Sequence, residues 1–233
     1  MRGEILTERL RGIAAAFSPA VLASSLSIED MVLTDAIARS GASIGIFVLD
    51  TGRLHADTLA LVEQARAHYG IAIEVFSPDP GAVEQYVRSF GRDAFYQGVE
   101  LRKRCCEIRK VEPLRRALAG RRAWITGQRR EHSVERAQLA ERERDPVHGI
   151  EKFNPLALWT DAEVWHYAHE HRVPYNRLYD QGYRSIGCAP CTRPVRPDED
   201  PRAGRWWWEE ATAKECGLHV APDGRLVRAK VPA

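Results

Sequence analysis

The chain has 233 residues and a hydrophobic fraction of 44%, which is enough to bury the core of one large domain. No apolar run approaches the roughly 20 residues that a membrane span needs, and no apolar signal segment follows the charged start. We therefore expect a cytoplasmic protein without a membrane partner, whose cysteines are thiols or metal ligands rather than structural disulfides.

The first 127 residues alternate between helix and strand patterns. Apolar residues at helical spacing, bounded by proline and glycine, predict helices at 4–17, 29–39, 55–69, 81–90 and 105–118. Short apolar runs predict strands at 21–23, 44–49, 71–76 and 123–126. This alternation indicates an α/β fold, in which helices flank a parallel sheet.

The pattern changes after residue 127. Residues 129–144 are mostly charged and are predicted to be a loop, whereas Thr160 and Glu163 form a capping box for a helix through His171. The proline-rich stretch 172–204 is predicted to be irregular, and a short final helix should run from Trp206 to near Cys216. We expect one α/β domain over residues 1–204 and a C-terminal helix and tail over residues 205–233.

Polar residues follow three of the predicted strands. The segments are Ser24-Ser25-Leu26-Ser27-Ile28, Leu49-Asp50-Thr51-Gly52-Arg53 and Thr126-Gly127-Gln128-Arg129-Arg130. Each alone is as readily explained by helix capping, but ligands of α/β sheets bind at the carboxyl ends of parallel strands. Together the three strand ends predict a nucleotide site, although the first loop has no Walker-type glycine and lysine.

Four of the five cysteines fall into two tight pairs, Cys105-Cys106 and Cys188-Ala-Pro-Cys191. Four converging thiolates suit either an iron–sulfur cluster or a zinc ion that only staples the long loop to a helix. The first pair is predicted to lie near a helix start, where both side chains could face one metal group. The spacing leaves both kinds of metal site open.

Positive charge is concentrated between Arg102 and Arg142, a stretch that contains 13 Lys or Arg residues but only five Glu. Such a segment can be a solvated face, bind nucleic acid or surround a small, multiply charged anion. Because it begins beside a cysteine pair, we favour a binding role. Lys110 is predicted to lie between the thiolates and an anionic substrate, and arginines suited to phosphate or sulfate oxygens are Arg136, Arg202 and Arg205.

The fifth cysteine, Cys216, stands alone among polar residues. Neighbouring Lys214 and His219 favour its thiolate, so we interpret it as a reactive thiol rather than a buried apolar residue.

These residues resemble the assimilatory adenylyl-sulfate reductases. The resemblance rests on Cys105-Cys106, Cys188-x-x-Cys191 and the tail motif Glu215-Cys216-Gly217-Leu218-His219. It also covers Leu49-Asp50-Thr51-Gly52-Arg53, Gly127-Gln128-Arg129-Arg130 and Arg205-Trp206-Trp207-Trp208-Glu209-Glu210. Two segments depart from the family pattern. The loop Ser24–Ile28 lacks a glycine often found there, and Glu131-His132-Ser133-Val134-Glu135-Arg136 differs from the usual polar run.

The resemblance implies an adenine-nucleotide α-hydrolase-like fold of the PP-loop type, and a 4Fe–4S cluster on Cys105, Cys106, Cys188 and Cys191. It implies Cys216 as the nucleophile on a mobile tail. It also implies adenylyl sulfate (adenosine 5′-phosphosulfate, APS) as substrate, thioredoxin or a related dithiol protein as reductant, a homo-oligomer, and no nucleic-acid partner. The substrate contacts that it implies are Ser25, Ser27, Leu49, Lys110, Gly127, Arg136, Arg202 and Arg205.

The expected reaction yields sulfite and AMP through an S-sulfocysteine on Cys216. Three alternatives remain at this point. The first is reduction of 3′-phosphoadenylyl sulfate (PAPS), with the extra phosphate near Arg102-Lys103-Arg104. The second is an adenylating transferase, such as a tRNA-thiolating enzyme, and the third is a zinc-stapled binding module without catalysis.

Overall fold

The computed structural model describes residues 2–133 and 136–209. Its seven α-helices within those ranges are α1 (Arg2–Ala16), α2 (Ile28–Ser40), α3 (Ala56–Tyr69), α4 (Pro80–Phe90), α5 (Val99–Cys106), α6 (Glu112–Leu118) and α7 (Asp161–Glu170). The strands are β1 (Ala20–Ser24), β2 (Ile44–Leu49), β3 (Glu74–Phe76), β4 (Ala123–Ile125), β5 (Arg142–Asp145) and β6 (Ile150–Phe153).

The strands form one sheet in the order β3-β2-β1-β4-β6-β5. All neighbouring pairs are parallel except β5 and β6, which form an antiparallel hairpin at the edge. The predicted parallel sheet flanked by helices is therefore confirmed. The chain leaves β1 toward β2 and later returns to β4 on its other side, so a crevice opens between the ends of β1 and β4.

The core lies on both faces of this sheet, as the continuous apolar strands require. Alternate residues of β1 point to opposite faces: Leu22 packs in the larger cluster with α1, α2 and α7, and Val21 packs with α6. The central strands are thus held from both sides, which fixes where their carboxyl ends emerge.

Residues 129–144 differ from the predicted loop. They contain a short 3₁₀ turn, Arg130–His132, and end in β5, which pairs with the unpredicted β6. Strand β5 escaped prediction because it is an edge strand with no apolar face, and it is joined to β6 by a cross-strand ion pair of 2.9 Å between Arg142 and Glu151.

The helix that carries the first cysteine pair begins earlier than predicted. It starts at Val99, and the expectation that Cys105 and Cys106 lie near a helix start is wrong, because they end α5. The path then continues through a π-helical turn, Glu107–Val111, into α6. No glycine or proline separates Val99 from Cys105, so nothing in the local sequence stops the helix from extending upstream.

Strand β3 begins at Glu74 rather than at the predicted Ile71. The remaining boundaries follow the prediction closely, with glycine C-caps at Gly41 and Gly70 and the capping box of Thr160 and Glu163. Residues 172–204 are largely irregular, as expected. Of the predicted final helix, Trp206–Trp208 form a turn, and the part beyond residue 209 lies outside the described residues.

Candidate active site

A cavity of about 900 Å³ opens at the carboxyl edge of the sheet, above the crevice between β1 and β4. The side chains or backbone of all eight residues predicted to contact substrate line it. They are Ser25, Ser27, Leu49, Lys110, Gly127, Arg136, Arg202 and Arg205. The fold therefore brings together residues from five separate segments of the chain.

The loop after β1 is held in place by Asp30, which the sequence analysis did not single out. The amide and hydroxyl of Ser25 both donate to its Oδ2 at 2.7 Å, and the Gly127 amide donates to its Oδ1 at 3.0 Å. Complete burial raises the pKa of Asp30, while these hydrogen bonds oppose that rise. One carboxyl group thus joins the two loops that border the crevice. The only sequence signal was an acidic residue in the first turn of α2.

Gly127 owes its place to close packing. A Cβ built on it would lie 2.5 Å from Oδ1 of Asp30 and 2.8 Å from Cβ of Glu29. Any larger residue would push the loop after β4 away from α2. Glycine is required here for the approach of two chain segments, whatever it does for a ligand.

Arg129 faces the same cavity but is held by carboxylates. It donates to Glu29 at 2.9 Å, to Glu131 at 3.1 Å and to Asp161 at 2.9 Å, and it is only 3% exposed. Burial opposes ionisation of Glu29, but the hydrogen bond with His132 and the charge of Arg129 lower its pKa to about 2. This network braces the start of α2 rather than offering a cation to a ligand.

Arg205 reaches the cavity from the C-terminal segment. Its Nη1 donates to the Ile186 carbonyl at 3.0 Å, and its guanidinium lies 4.7 Å from the ring of Trp206. A Cβ on Gly187 would come within 2.7 Å of that guanidinium, so the glycine allows the arginine to lie flat against the chain. An antiparallel β-bridge between Thr192 and Arg205 fixes this segment beside the loop that contains Cys188 and Cys191.

The four paired cysteines surround a second, small cavity of about 20 Å³. Its other lining residues are Arg53, Phe95, Arg102, Arg109, Lys110, Pro190 and Trp206. All four cysteines are free thiols, and the Cys188 sulfur lies 3.3 Å from the Thr51 hydroxyl. Within residues 2–133 and 136–209, no three His, Cys, Asp or Glu side chains converge in the way that holds a single metal ion.

Burial and the charge of Cys188 oppose the ionisation of Cys105 and Cys191. Burial, followed by the charge of Cys188, raises the pKa of Cys191 to about 12, and burial also raises the pKa of Cys105. Burial acts in the same direction on Cys188, but Lys110 and the Thr51 hydroxyl lower its pKa. A cationic group between the thiols would favour their ionised form.

Lys110 lines both cavities, as expected of a cation between the thiols and a substrate. It lies in the π-helical turn directly after Arg109, whose Nη1 donates to the Thr51 carbonyl at 2.7 Å. π-Turns inside helices often mark functional sites, because the inserted residue redirects the side chains that follow. Here the turn places Arg109 against the loop after β2 and Lys110 between the cavities.

Much of the basic segment is neutralised by local ion pairs. Lys103 pairs with Glu100, Arg115 with Glu107, and Arg116 with Glu112. Arg102 is buried and pairs with Glu209 at 2.6 Å. None of Arg102, Lys103 and Arg104 lines the larger cavity.

Cys216, the predicted nucleophile, lies outside the described residues. No α-helix in the described part of the chain is both long and apolar enough to cross a bilayer.

Comparison with known proteins places this architecture in a family. The model of the phosphoadenosine phosphosulfate reductase domain matches residues 19–194. An adenosine 5′-phosphosulfate reductase of Burkholderia cepacia is 60% identical over 198 residues, which cover 85% of this chain and 79% of the relative. The protein of the same name from Allochromatium vinosum is 54% identical, with 91% and 83% covered.

Solved structures with a similar fold include a member of the same family. A phosphoadenylyl-sulfate reductase from Candida auris, in a phosphate complex, superposes with a TM-score of 0.70 and 29% identity, covering 81% of this chain and 90% of that one. An FMN adenylyltransferase of Candida glabrata shares the fold alone, with a TM-score of 0.55 and 14% identity over 98% of this chain and 79% of that one. Because the family model matches well over half of its length and relatives exceed half identity, the chain belongs to the phosphoadenosine phosphosulfate reductase family.

Proposed function

We propose that this protein reduces APS to sulfite and AMP, with a dithiol protein such as thioredoxin as the reductant, in sulfate assimilation. The observation that carries the proposal is the junction of the two cavities, where Lys110 lies between a nucleotide-sized cavity and four clustered thiols. The relatives named adenosine 5′-phosphosulfate reductase support it, since they share more than half of their aligned residues with this chain. Because thiol-dependent chemistry needs a reducing compartment, the proposal includes a cytoplasmic location.

The larger cavity offers distinct surroundings for the two halves of APS. Apolar residues such as Phe47 and Leu49 line it at the end of β2, where a nucleoside can be sheltered from water. In the serine loop at the start of α2, the amide and hydroxyl of Ser25 already donate to Asp30. The hydroxyl of Ser27 accepts from the Asp30 amide and can donate its own proton to an anionic oxygen. Arg136, Arg202 and Arg205 supply guanidinium groups for the phosphate and sulfate.

The four cysteines fit a 4Fe–4S cluster. They are free, they line one cavity, and four basic residues (Arg53, Arg102, Arg109 and Lys110) line it with them. Four thiolates around one zinc ion converge on a point, at about 2.3 Å from it. A 4Fe–4S cluster is likewise held by four cysteine thiolates, so analysis of iron and sulfide distinguishes the two metal groups. When bound, the cluster supplies a fixed charge beside Lys110 and joins two segments of the chain.

The reaction we propose begins with the Cys216 thiolate. It attacks the sulfur of APS, a sulfur–sulfur bond forms, and the bond from that sulfur to the phosphate oxygen breaks, releasing AMP. Lys110 and the arginines offset negative charge as the anionic thiolate approaches the anionic sulfate.

A thiolate of the dithiol partner then attacks the Cys216 sulfur and releases sulfite. The resulting mixed disulfide is resolved by the partner's second thiol, which regenerates Cys216. The partner is oxidised by two electrons to its disulfide, and the sulfur of the sulfate group is reduced by two.

The test is a pair of cysteine variants, purified without oxygen. Cys216→Ser should form no sulfite from APS yet keep iron, sulfide and an absorption band near ~400 nm. Cys188→Ser should lose iron and the band. Sulfite formation by Cys216→Ser would overturn the assignment of Cys216 as the nucleophile. Wild-type protein that is active without iron would overturn the assignment of the cluster.

PAPS is the second candidate substrate, because the Candida auris structure is named as its reductase. Its extra phosphate needs additional positive charge, yet Arg102, Lys103 and Arg104 do not line the substrate cavity. We therefore expect kcat/KM for APS to exceed that for PAPS in parallel assays. Equal or greater values for PAPS would reverse the assignment.

A further inference from the structure

His132 connects the buried acid of α2 to an arginine at the substrate cavity. Its Nε2 lies 2.8 Å from Oε1 of Glu29. On the other side of the ring, Nδ1 lies 3.2 Å from Nη1 of Arg136 and 3.3 Å from the amide nitrogen of Arg129. His132 and Arg136 both line the cavity, and the histidine belongs to the segment in which this chain departs from the family pattern.

These contacts determine the protonation of the ring. Glu29 is ionised, since its neighbours lower its pKa to about 2, and a carboxylate only accepts hydrogen bonds. Nε2 must therefore carry a proton and donate it. The groups at Nδ1 are a guanidinium and an amide, which only donate, so Nδ1 must be an unprotonated acceptor.

The residues around the ring hold it in this orientation. Glu29 and Arg129 are 5% and 3% exposed, so the imidazole packs against two buried side chains. The side chain of Arg129 is bound by Glu29, Glu131 and Asp161. On the Nδ1 side of the imidazole, the backbone amide of Arg129 therefore lies beside the guanidinium of Arg136. Nδ1 accepts a hydrogen bond from Arg136 without removing the charge of the guanidinium, so Arg136 keeps its attraction for an anion.

We propose that His132 is a positioning residue, which holds the Arg136 guanidinium at the wall of the cavity for the anionic half of the substrate. Glu29 fixes the orientation of the imidazole, and the imidazole fixes Arg136. The proposal rests on the proposed function, because it takes the bound anion to be the phosphosulfate group of APS. Holding the arginine in advance lowers the entropy lost when that group binds.

The test measures binding without turnover. In the Cys216→Ser background, the Kd for APS is measured by calorimetry for His132→Gln, His132→Asn and His132→Ala. Glutamine has a donor and an acceptor at the end of a side chain long enough to replace both ring nitrogens, whereas asparagine is one methylene shorter. We expect His132→Gln to stay near the parent and the other two to weaken APS binding about threefold to tenfold.

The same substitutions in an Arg136→Ala background distinguish positioning from general structural damage. If His132 acts through Arg136, its removal there adds little further loss. The proposal would be overturned if His132→Asn and His132→Ala bound APS as well as the parent, or if all three variants lost the same amount of APS binding. It would also be overturned if the His132 substitutions weakened APS binding equally in the presence and absence of Arg136. Failure of wild-type protein to form sulfite while it binds APS would instead count against the proposed function. If His132→Ala does not fold, the comparison of His132→Gln with His132→Asn decides.

Discussion

At the scale of single residues, Gly127 is required by close packing against α2, which its position after a strand does not reveal. A Cβ there would lie 2.5 Å from Oδ1 of Asp30, the atom that accepts the hydrogen bond of the Gly127 amide. We expect Gly127→Ala to displace this loop, cost about 1 to 3 kcal/mol of unfolding free energy and weaken APS binding at least tenfold. Urea unfolding and calorimetry measure the two effects.

Gly12 provides the matched control. It lies inside α1, with nothing within 4 Å of a Cβ built on it. Gly12→Ala should raise stability by about 0.5 to 1 kcal/mol, because alanine favours a helix over glycine, and leave APS binding unchanged. Normal binding by a stable Gly127→Ala protein would show that the close approach to α2 is not required.

Glu29 should dominate the acid sensitivity of the fold. Its pKa falls from an ordinary value of about 4.3 in the unfolded chain to about 2 in the folded protein. The folded state gains from this group above the unfolded pKa, and the gain is lost as the pH falls toward the folded pKa. The shift corresponds to roughly 3 kcal/mol at neutral pH.

Glu29→Gln should therefore flatten the dependence of unfolding free energy on pH between about 5 and 2. Unfolding curves at stepped pH values measure it. The control is Glu63→Gln on the exposed side of α3, where the side chain is 71% exposed and a change of slope is not expected. An identical slope in wild type and Glu29→Gln would contradict the role of the buried network.

At the scale of elements, the continuous path from α5 through the π-turn to α6 organises the region between the cavities. Arg102 lies within α5, fully buried, with its guanidinium 4.5 Å from the Trp206 ring. Arg205 lies on the same indole at 4.7 Å. This stack of arginine, tryptophan and arginine links a residue beside the cysteines to a residue beside the substrate cavity.

The ion pair of Arg102 and Glu209 fastens the C-terminal segment to α5. Both side chains are buried, at 1% and 4% exposure. Glu209→Gln should lower the unfolding free energy by about 3 kcal/mol, because a buried guanidinium would lose its counter-charge. Thermal and urea unfolding measure the loss.

The exposed pair of Lys103 and Glu100 on the same helix is the control, since its side chains are 42% and 86% exposed. Glu100→Gln should change stability by less than about 0.5 kcal/mol. If the two substitutions had equal effects, the buried pair would not be the anchor of this segment.

At the scale of the whole molecule, the proposed cluster joins segments that are distant along the chain. Cys105 and Cys106 end α5, whereas Cys188 and Cys191 belong to the irregular segment 172–204, which Arg205 follows directly. Anaerobic removal of iron with a chelator should lower the thermal unfolding midpoint by several degrees, because metal binding free energy contributes to folding. Calorimetry of iron-loaded and iron-free protein tests this.

Cys216→Ser should retain both its iron and the higher midpoint, since Cys216 is not among the proposed ligands. An unchanged midpoint after iron removal would mean that the group at the four thiols does not brace the fold.

The sequence by itself determined the alternation of helices and strands, the strand ends that border the larger cavity, and the paired cysteines. Such features are local: apolar periodicity and glycine caps act within a few residues. Its resemblance to a known family also singled out eight residues that are among those lining the larger cavity.

The tertiary structure alone decided what depends on contacts between distant segments. Asp30 joins two loops, Arg129 forms ion pairs with carboxylates, and His132 connects Glu29 to Arg136. The helix start at Val99 and the edge strand β5 likewise depend on their surroundings. A charged residue has the same letter whether it faces a ligand or a buried partner, and only the fold brings that partner within reach.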